Sequence, residues 1–283
     1  MYKTGAKDLI ISDKMDKNFM LPAPDSSGYA DVNGLHMYFE VYGKGHPLIL
    51  VHGGGSTIGT TFGRIIPYLA ANHRIIAVEM QAHGHTKDID RPLSFESDAD
   101  DIAGLMDHLK ISKADVFGFS NGASTTLQFA IRHPEKTRKI VVASTFYKKD
   151  GAPDWFWKMM SSPTFEGMPQ LYKDTFLAIN PDPRALYRMY ERDVARMSAF
   201  PDISEAQMRG IKAPAMIIIG DKDVVKPEHA VEMHQLLEKS RLAILPAGHG
   251  DYLGEIMAPY DETMVTATAS MIDRFLNEPP QEQ

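Results

Sequence analysis

The chain has 283 residues, a length that suits one large domain or a domain that carries an insertion. Hydrophobic residues make up 43% and charged residues 24%, which is an ordinary globular composition and excludes a disordered or fibrous protein. The formal net charge is −7, so the basic surface that is typical of nucleic-acid-binding proteins is not expected. Because the chain has no cysteine, it offers no disulfide, no thiolate nucleophile and no zinc–thiolate site.

A polar segment at residues 1–29 precedes the regular part of the chain and is predicted to form an N-terminal arm. Apolar runs typical of buried strands and periodic apolar positions typical of amphipathic helices follow it. In chain order they predict strands at 35–42 and 47–51, a helix at 61–71, a strand at 74–78, a helix at 94–109, a strand at 114–119, a helix at 121–132, strands at 139–143 and 215–219, a helix at 228–237, a strand at 242–245 and a helix at 263–276. This alternation predicts an α/β fold, in which helices cover both faces of a parallel sheet.

One interval interrupts the alternation of strands and helices. Residues 146–212 contain no strand pattern, and they include both tryptophans of the chain and several methionines. The interval is therefore predicted to be a helical cap inserted between two strands of the core. The core itself is predicted to comprise residues 30–145 and 213–283.

No apolar run approaches the roughly 20 residues that a membrane-spanning helix needs. The first residues mix lysine with aspartate and lack the apolar segment of a signal peptide, so the cytoplasm is the expected location. The expected partner is a small-molecule substrate, with no nucleic acid. The protein is expected to be a monomer or a homodimer.

The pentapeptide Gly118-Phe119-Ser120-Asn121-Gly122 matches the G-x-S-x-G pattern of a nucleophile elbow. A predicted strand ends just before the serine and a predicted helix begins just after it, which is the context that the pattern requires. Such a turn is so tight that its flanking positions must lack side chains. Ser120 is therefore the predicted nucleophile, held above the sheet in a strained backbone conformation.

A serine hydroxyl needs a general base, and His249 is the candidate because it follows the last predicted strand. Since the carboxyl ends of parallel strands lie at one edge of a sheet, His249 and Ser120 are expected at the same edge. The imidazole in turn needs an orienting carboxylate, which Asp221 or Asp223 can supply after the strand at 215–219. Asp223 is preferred because it lies farther past the strand end, where the loop can bend toward the histidine.

Two backbone N–H groups are expected to stabilise the oxyanion that forms when the serine attacks. One is the N–H of Asn121, which follows the nucleophile at the N-terminus of a helix. The other is expected in the loop His52-Gly53-Gly54-Gly55, whose lack of side chains lets the backbone approach a substrate carbonyl. Gly54 is the preferred donor and Gly55 is the alternative.

The pair His83 and His85, followed by Asp88, is similar to part of a binuclear metal motif, but Lys87 stands where that motif has aspartate. The glycine-rich loop at 52–55 lacks the lysine of a phosphate-binding loop and the spacing of a dinucleotide-binding fingerprint. Neither a metal nor a cofactor is therefore expected.

From about residue 30 to residue 277, the chain resembles the α/β-hydrolase fold superfamily. The resemblance rests on four motifs in this order: HGGG at 52–55, GFSNG at 118–122, GDKD at 220–223 and GHG at 248–250. It implies an eight-stranded, mostly parallel sheet with a cap, residues 146–212, after the sixth strand. It also implies that Ser120, Asp223 and His249 are the nucleophile, the acid and the base.

The chain departs from the family pattern at residues 79–86, which read EMQAHGHT where relatives commonly carry D-x-R-G-x-G-x-S. That loop is usually structural in the family, so the change is expected to alter the pocket wall and not the mechanism. Capped relatives that open epoxides or remove halides have aspartate as the nucleophile, so Ser120 argues against both activities.

The aromatic and methionine side chains of the cap predict an apolar roof over the nucleophile. Trp155, Trp157 and Met159 are the predicted pocket-lining residues of the cap, together with Gly55 of the glycine-rich loop.

The predicted function is that of a cofactor-free serine esterase, which acts on small to medium apolar esters through an acyl-enzyme. The same triad can hydrolyse a carbon–carbon bond, a lactone or a thioester, or catalyse perhydrolysis, and these activities stay open as alternatives. A ligand-binding, receptor-like protein with slow or no turnover is the alternative from another class.

Overall fold

Eight strands form one sheet in the computed structural model, which describes residues 21–279. The strands are β1 (Ser26–Val32), β2 (Leu35–Tyr42), β3 (His46–Val51), β4 (His73–Val78), β5 (Ala114–Phe119), β6 (Thr137–Ala143), β7 (Ala215–Gly220) and β8 (Ser240–Leu245). Across the sheet they lie in the order β1-β2-β4-β3-β5-β6-β7-β8. β2 pairs antiparallel with β1 and with β4, and all other neighbours pair parallel. The predicted eight-stranded, mostly parallel sheet is confirmed.

β1 was not predicted from the sequence, because the polar cluster at 25–28 is typical of a turn. β1 pairs with β2 along its whole length, and the connection Asn33-Gly34 has positive φ at both residues. That combination closes tight two-residue hairpins. Residues 26–29 of the predicted arm therefore lie in the sheet, whereas residues 1–20 are outside the described part of the chain.

Ten α-helices flank the sheet in the part of the chain that the structure describes. They are α1 (Ile58–Phe62), α2 (Ile66–Leu69), α3 (Phe95–His108), α4 (Asn121–Arg132), α5 (Asp154–Met160), α6 (Gln170–Ile179), α7 (Pro183–Ser198), α8 (Glu205–Gly210), α9 (Pro227–Leu236) and α10 (Glu262–Asn277). Buried residues of α1, α2 and α10 pack on one face of the sheet, and those of α3, α4 and α9 pack on the other. Within residues 21–279, no helix has the length and apolar character needed to cross a membrane.

The helix predicted at 61–71 is wrong as a single element. The structure has two short helices there, α1, whose C-cap is Gly63, and α2, which begins at Ile66. Pro67 has no N–H to donate, so it is tolerated in the first turn of α2 but cannot continue a helix that begins before it. The other predicted helices overlap observed ones.

Helices α5 to α8 all lie between β6 and β7. The structure describes every residue of 144–214, and none of them is in a strand. Buried side chains of this segment, including Phe156 and Met208, join the apolar cluster that contains Val142 and Ile217 of the sheet. Residues 146–212 are called the helical insertion below; that they form a separate cap stays a prediction.

The order of the sheet positions a crevice at β3, whose neighbours β4 and β5 lie on opposite sides. In open α/β sheets, ligands bind at the carboxyl ends of strands at such a reversal. The loop after β3 begins at His52, and the turn after β5 contains Ser120. The fold thus places the glycine-rich loop and the predicted nucleophile at one crevice.

Candidate active site

Ser120 stands at the turn between β5 and α4, with a φ of 53° and a ψ of −119°. Residues other than glycine rarely adopt this conformation, so the backbone is strained. A Cβ on Gly118 would lie 2.1 Å from the carbonyl oxygen of Gly122, and a Cβ on Gly122 would lie 2.1 Å from that of Val51. Only glycine fits at the two flanking positions, as expected for a nucleophile elbow.

His249 and Asp223 lie side by side beyond the carboxyl ends of β8 and β7. Nδ1 of His249 is 2.7 Å from Oδ1 of Asp223. Because a carboxylate only accepts hydrogen bonds, the proton lies on Nδ1, and the lone pair of Nε2 remains available to a proton. The Asp223 side chain is fully buried, whereas that of His249 is 32% exposed, so solvent reaches part of the imidazole.

Four donors hold the carboxylate of Asp223. In addition to His249, the N–H of Val224 donates to Oδ1 at 2.7 Å, and the N–H of Gly220 and the hydroxyl of Ser144 donate to Oδ2. Burial acts to raise the pKa of Asp223, but these hydrogen bonds and the nearby imidazole outweigh it and lower the pKa. Asp223 is therefore ionised at neutral pH.

Two hydroxyl groups that support Asp223 were not predicted from the sequence. The Tyr252 hydroxyl lies 2.5 Å from Oγ of Ser144, and Tyr252 is fully buried. Since the Ser144 proton goes to the carboxylate, the Tyr252 proton is left for Ser144 or for the carbonyl oxygen of Ile218, which lies 3.2 Å from the Tyr252 hydroxyl. Ser144 directly follows β6, so its place at this edge of the sheet is readable from the sequence. Nothing in the sequence indicates that the ring of Tyr252 turns inward.

Asp221, the other carboxylate considered for the triad, has a different role. Its Oδ1 accepts the N–H of Ala247 at 3.1 Å, and its own N–H donates to the carbonyl oxygen of Leu245. Asp221 thus joins the loops after β7 and β8, while Asp223 contacts His249.

The two preferred oxyanion donors lie next to one another. Asn121 is the first residue of α4, so its N–H has no acceptor within the helix. A Cβ on Gly54 would lie 2.4 Å from Nδ2 of Asn121, which shows how closely the two residues approach. The N–H of Gly55 instead donates to Oδ2 of Asp193 at 2.6 Å. The geometry therefore favours Gly54 over Gly55 as the second donor.

A pocket of about 620 Å³ opens at Ser120 beneath the helical insertion. This volume is within the range of small-molecule sites. Apolar side chains dominate the lining, among them Met168, Met189 and Met197. Asp193 is the only charged residue that lines the pocket within residues 21–279, and no lysine or arginine lines it there.

The prediction of the pocket-lining residues needs a correction. Gly55 and Met159 line the pocket, whereas Trp155 and Trp157 do not. Trp155 is 55% exposed, and Trp157 packs edge-on against Phe146 with the ring centroids 5.5 Å apart.

The helical period puts the tryptophans at the margins of the pocket-facing side of α5. Phe156, Met159 and Met160 line the pocket, and their spacing of three and four residues puts them on one face of α5. Trp155 and Trp157 are each one position from Phe156, so they point about 100° to either side of it and flank that face.

The histidines considered for a metal site have other partners. His83 contacts the carbonyl oxygen of Gln81 and the carboxylate of Asp193, while Nδ1 of His85 lies 2.8 Å from Oε2 of Glu79. Among the residues that the structure describes, no group of three or more His, Asp or Glu side chains is arranged to hold a metal ion.

Residues 46–186 match a protein family described as the alpha/beta hydrolase fold. The chain is also similar to a 2-hydroxy-6-oxo-2,4-heptadienoate hydrolase of Pseudomonas putida, at 28% identity over 75% of this chain and 84% of that protein. Similarity to a pimeloyl-[acyl-carrier protein] methyl ester esterase of Neisseria meningitidis is 26% identity, over 74% of this chain and 88% of the esterase.

Among solved structures, an enol-lactonase from Burkholderia xenovorans matches with a TM-score of 0.69 at 22% identity, covering 88% of this chain and 100% of the lactonase. At this identity the likeness shows a shared fold and no more. The names of these similar proteins refer to hydrolysis of different kinds of bond, so they do not indicate one substrate class. The lining of the pocket has to indicate it.

Proposed function

The chain belongs to the α/β-hydrolase fold superfamily and is a serine hydrolase, and on this premise we propose that it is a carboxylesterase for small to medium apolar esters. Ser120 is the proposed nucleophile, His249 the general base and Asp223 the carboxylate that orients it. The proposed oxyanion donors are the N–H groups of Gly54 and Asn121.

In the proposed reaction, Oγ of Ser120 attacks the ester carbonyl while Nε2 of His249 takes the hydroxyl proton. His249 then gives that proton to the leaving alcohol as its bond to the carbonyl carbon breaks, and an acyl-enzyme remains. A water activated by His249 hydrolyses the acyl-enzyme. Ionised Asp223 stabilises the imidazolium in both halves, and one oxyanion donor typically lowers the barrier by about 2.7–4 kcal/mol.

The observation that carries the substrate class is the lining of the pocket at Ser120. Within the described part of the chain that lining is mostly apolar, its one charged residue is the anionic Asp193, and it contains no lysine or arginine. A substrate with a free carboxylate would lose its hydration there without gaining a positive partner, at a cost of several kcal/mol. A neutral ester avoids this cost, which favours ester hydrolysis over carbon–carbon cleavage of a dienoate, the kind of substrate named for the Pseudomonas relative.

Hydrolysis of p-nitrophenyl esters from acetate to dodecanoate tests the proposal. We expect turnover with an optimum at a short to medium acyl chain, and its loss in Ser120→Ala. Turnover of a dienoate but of no ester would support the carbon–carbon hydrolase instead. Ligand-induced thermal stabilisation without any product would support a binding protein.

The location in the cytoplasm, the state as a monomer or homodimer and the separate cap stay predictions. Light scattering coupled to size-exclusion chromatography tests the oligomeric state.

A further inference from the structure

We propose that Asp193, on helix α7 of the helical insertion, is a positioning residue that holds the loop at 52–55 in its active arrangement. The proposal rests on the proposed function, because it takes Gly54 of that loop to be an oxyanion donor. Through this one side chain, the helical insertion would affect the rate of the reaction at Ser120.

Asp193 connects the helical insertion to the loop by hydrogen bonding. Its Oδ2 accepts the N–H of Gly55 at 2.6 Å and lies 3.0 Å from Nε2 of His83. Its Oδ1 accepts a hydrogen bond from the guanidinium of Arg196 at 2.5 Å. Because the Asp193 side chain is only 13% exposed, water competes weakly for these contacts.

The same carboxylate lies against the proposed oxyanion donor. A Cβ on Gly54 would be 3.4 Å from Oδ2 of Asp193 and 2.4 Å from Nδ2 of Asn121, so Gly54 is enclosed between the two side chains. The N–H and C=O of one peptide point in opposite directions. The bond from the Gly55 N–H to Asp193 therefore also fixes the direction of the Gly54 carbonyl, next to the proposed donor.

Positive charges from the core (His83) and from the insertion (Arg196) balance the charge of Asp193. Nδ1 of His83 is 2.8 Å from the carbonyl oxygen of Gln81, and its Nε2 faces Asp193. Both partners only accept, so both ring nitrogens of His83 carry protons. Burial acts to lower the pKa of His83, but the Asp193 carboxylate outweighs it and raises that pKa. Arg196 adds a second positive charge and is itself paired with Asp98 at 2.7 Å.

Because its charge is already balanced, Asp193 is not a free anion that could bind a cationic substrate. Its contacts instead connect four elements: α7, the loop after β4, the loop after β3 and, through Arg196, helix α3. Such a connection suits a residue that holds a loop in place.

Loss of this contact is expected to reduce kcat more than it raises KM, because an oxyanion hole binds the transition state more strongly than the substrate. For Asp193→Ala we expect kcat to fall by about 10- to 100-fold, the cost of a slightly misplaced catalytic group. Asp193→Asn keeps an acceptor oxygen for the Gly55 N–H but loses the charge, so an intermediate loss is expected.

The test compares the wild type, Asp193→Asn and Asp193→Ala on p-nitrophenyl butyrate, with active sites counted by a fluorophosphonate. Glu191→Gln is the matched control, since it neutralises an exposed carboxylate on the same helix. A second readout is the affinity for an aryl trifluoromethyl ketone relative to the matching alcohol. The ketone forms a tetrahedral oxyanion adduct with a serine nucleophile, and the alcohol does not.

The proposal requires kcat per titrated site and the ketone-to-alcohol affinity ratio to fall together, in the order wild type, Asn variant, Ala variant. Unchanged values per titrated site would overturn it, whatever the melting temperatures, because that is the behaviour of a purely structural ion pair. If Asp193→Ala does not fold, the proposal is tested on the nearly isosteric Asp193→Asn alone, by kcat per titrated site and by the ketone-to-alcohol affinity ratio.

The proposed function can fail separately from this proposal. If the wild type hydrolyses no ester, the rate at which the fluorophosphonate labels Ser120 still depends on the oxyanion donors. Slower labelling of the two Asp193 variants than of the wild type and Glu191→Gln would then support the role of Asp193, and equal rates would overturn it.

Discussion

The core half of the active site and the helical insertion above it are held in different ways. In the core, the backbone approaches so closely at Gly118 and Gly122 that no Cβ fits, and four donors hold Asp223. In the insertion, flexible apolar side chains such as Met168 and Met189 form the pocket wall.

The two parts of the site therefore determine different properties, the reaction in the core and the substrate range in the insertion. Core positions that admit one residue type fix the reaction, whereas apolar positions that tolerate several side chains set the size and range of the substrate. Substitutions in the core should therefore change rates or folding by large factors, and substitutions of the apolar pocket-lining side chains of the insertion should change substrate preference.

The largest effect is expected at Ser120, the proposed nucleophile. Ser120→Ala should lower ester turnover by about 10⁴- to 10⁶-fold, since the rest of the triad cannot act without it. Fluorophosphonate labelling, followed by the mass of the intact protein, should disappear as well. Ser112→Ala, which alters an exposed serine before β5, is the control. Labelling that persists in Ser120→Ala would place the nucleophile elsewhere.

Asparagine substitutions at two nearby aspartates test which of them orients His249 and which only joins the loops after β7 and β8. Asp223→Asn should lower kcat by about 10⁴-fold, because an amide opposite Nδ1 favours the wrong tautomer of His249. Asp221→Asn should cost less than about tenfold, since Asp221 contacts the backbone of Ala247 and not the imidazole. Steady-state kinetics on p-nitrophenyl butyrate measures both, and a larger loss for Asp221→Asn would reverse the assignment.

Glycine substitutions test the close backbone packing of the core. Gly122→Ala should destabilise the fold by about 3 kcal/mol or more, because the new Cβ would lie 2.1 Å from a carbonyl oxygen. Gly210→Ala is the control, since a Cβ there meets no atom within 4 Å and should be neutral or stabilising by up to about 1 kcal/mol. Urea unfolding gives both values. Equal stabilities would contradict the packing argument.

At the apolar pocket-lining positions of the insertion, a change of substrate preference is expected and not a loss of turnover. Met189→Ala enlarges the pocket, so the optimum of the p-nitrophenyl ester series should move to longer acyl chains. Trp155→Ala should leave the optimum in place, because Trp155 does not line the pocket. A shift with Trp155→Ala and none with Met189→Ala would contradict the assigned lining.

The smallest effect is expected in the pH dependence of stability. The pKa of His83 is raised by Asp193, so its contribution to folding is complete below about pH 6.5 and is lost as pH rises through the raised value. Burial acts to raise the pKa of Asp193, but His83 and Arg196 hold it well below its usual range. The contribution of Asp193 is therefore present above about pH 3.9 and is lost only as pH falls through that low value.

His83→Gln should flatten the alkaline decline of the free energy of unfolding, because the positive charge that Asp193 stabilises is then absent. Burial lowers the pKa of the neighbouring His52 to about 3, so His52 stays neutral in this window. Urea unfolding at pH 6 and pH 9 measures the effect, with the exposed His36→Gln as the control. The same decrease in the free energy of unfolding from pH 6 to pH 9 in the wild type and in His83→Gln would contradict this expectation.

Much of the core could be predicted from the sequence because its signals are local. Apolar runs mark the parallel strands, and the G-x-S-x-G turn requires glycines that are visible in the sequence. β1 was missed because an edge strand with polar residues lacks the apolar run on which the other strands were recognised. The helix at 61–71 was overextended across Pro67.

The insertion could be predicted only in outline. Its composition gives apolar helices, but which helical face meets the pocket depends on how the helices pack, so Trp155 was wrongly assigned to the pocket lining. The contacts of Asp193 with Gly55 and His83 join residues more than a hundred positions apart, and no local pattern signals such a pairing.

The substrate class depends on a pocket that lacks a positive side chain among the described residues. The most direct test is kcat/KM for two methyl esters of the same shape, methyl 6-methylheptanoate and monomethyl adipate, followed by titration of the acid released. The neutral ester should be favoured by at least about 100-fold, which corresponds to about 2.7 kcal/mol for the unpaired carboxylate. Equal rates, or a preference for the adipate monoester, would contradict the proposal of an esterase for neutral, apolar substrates.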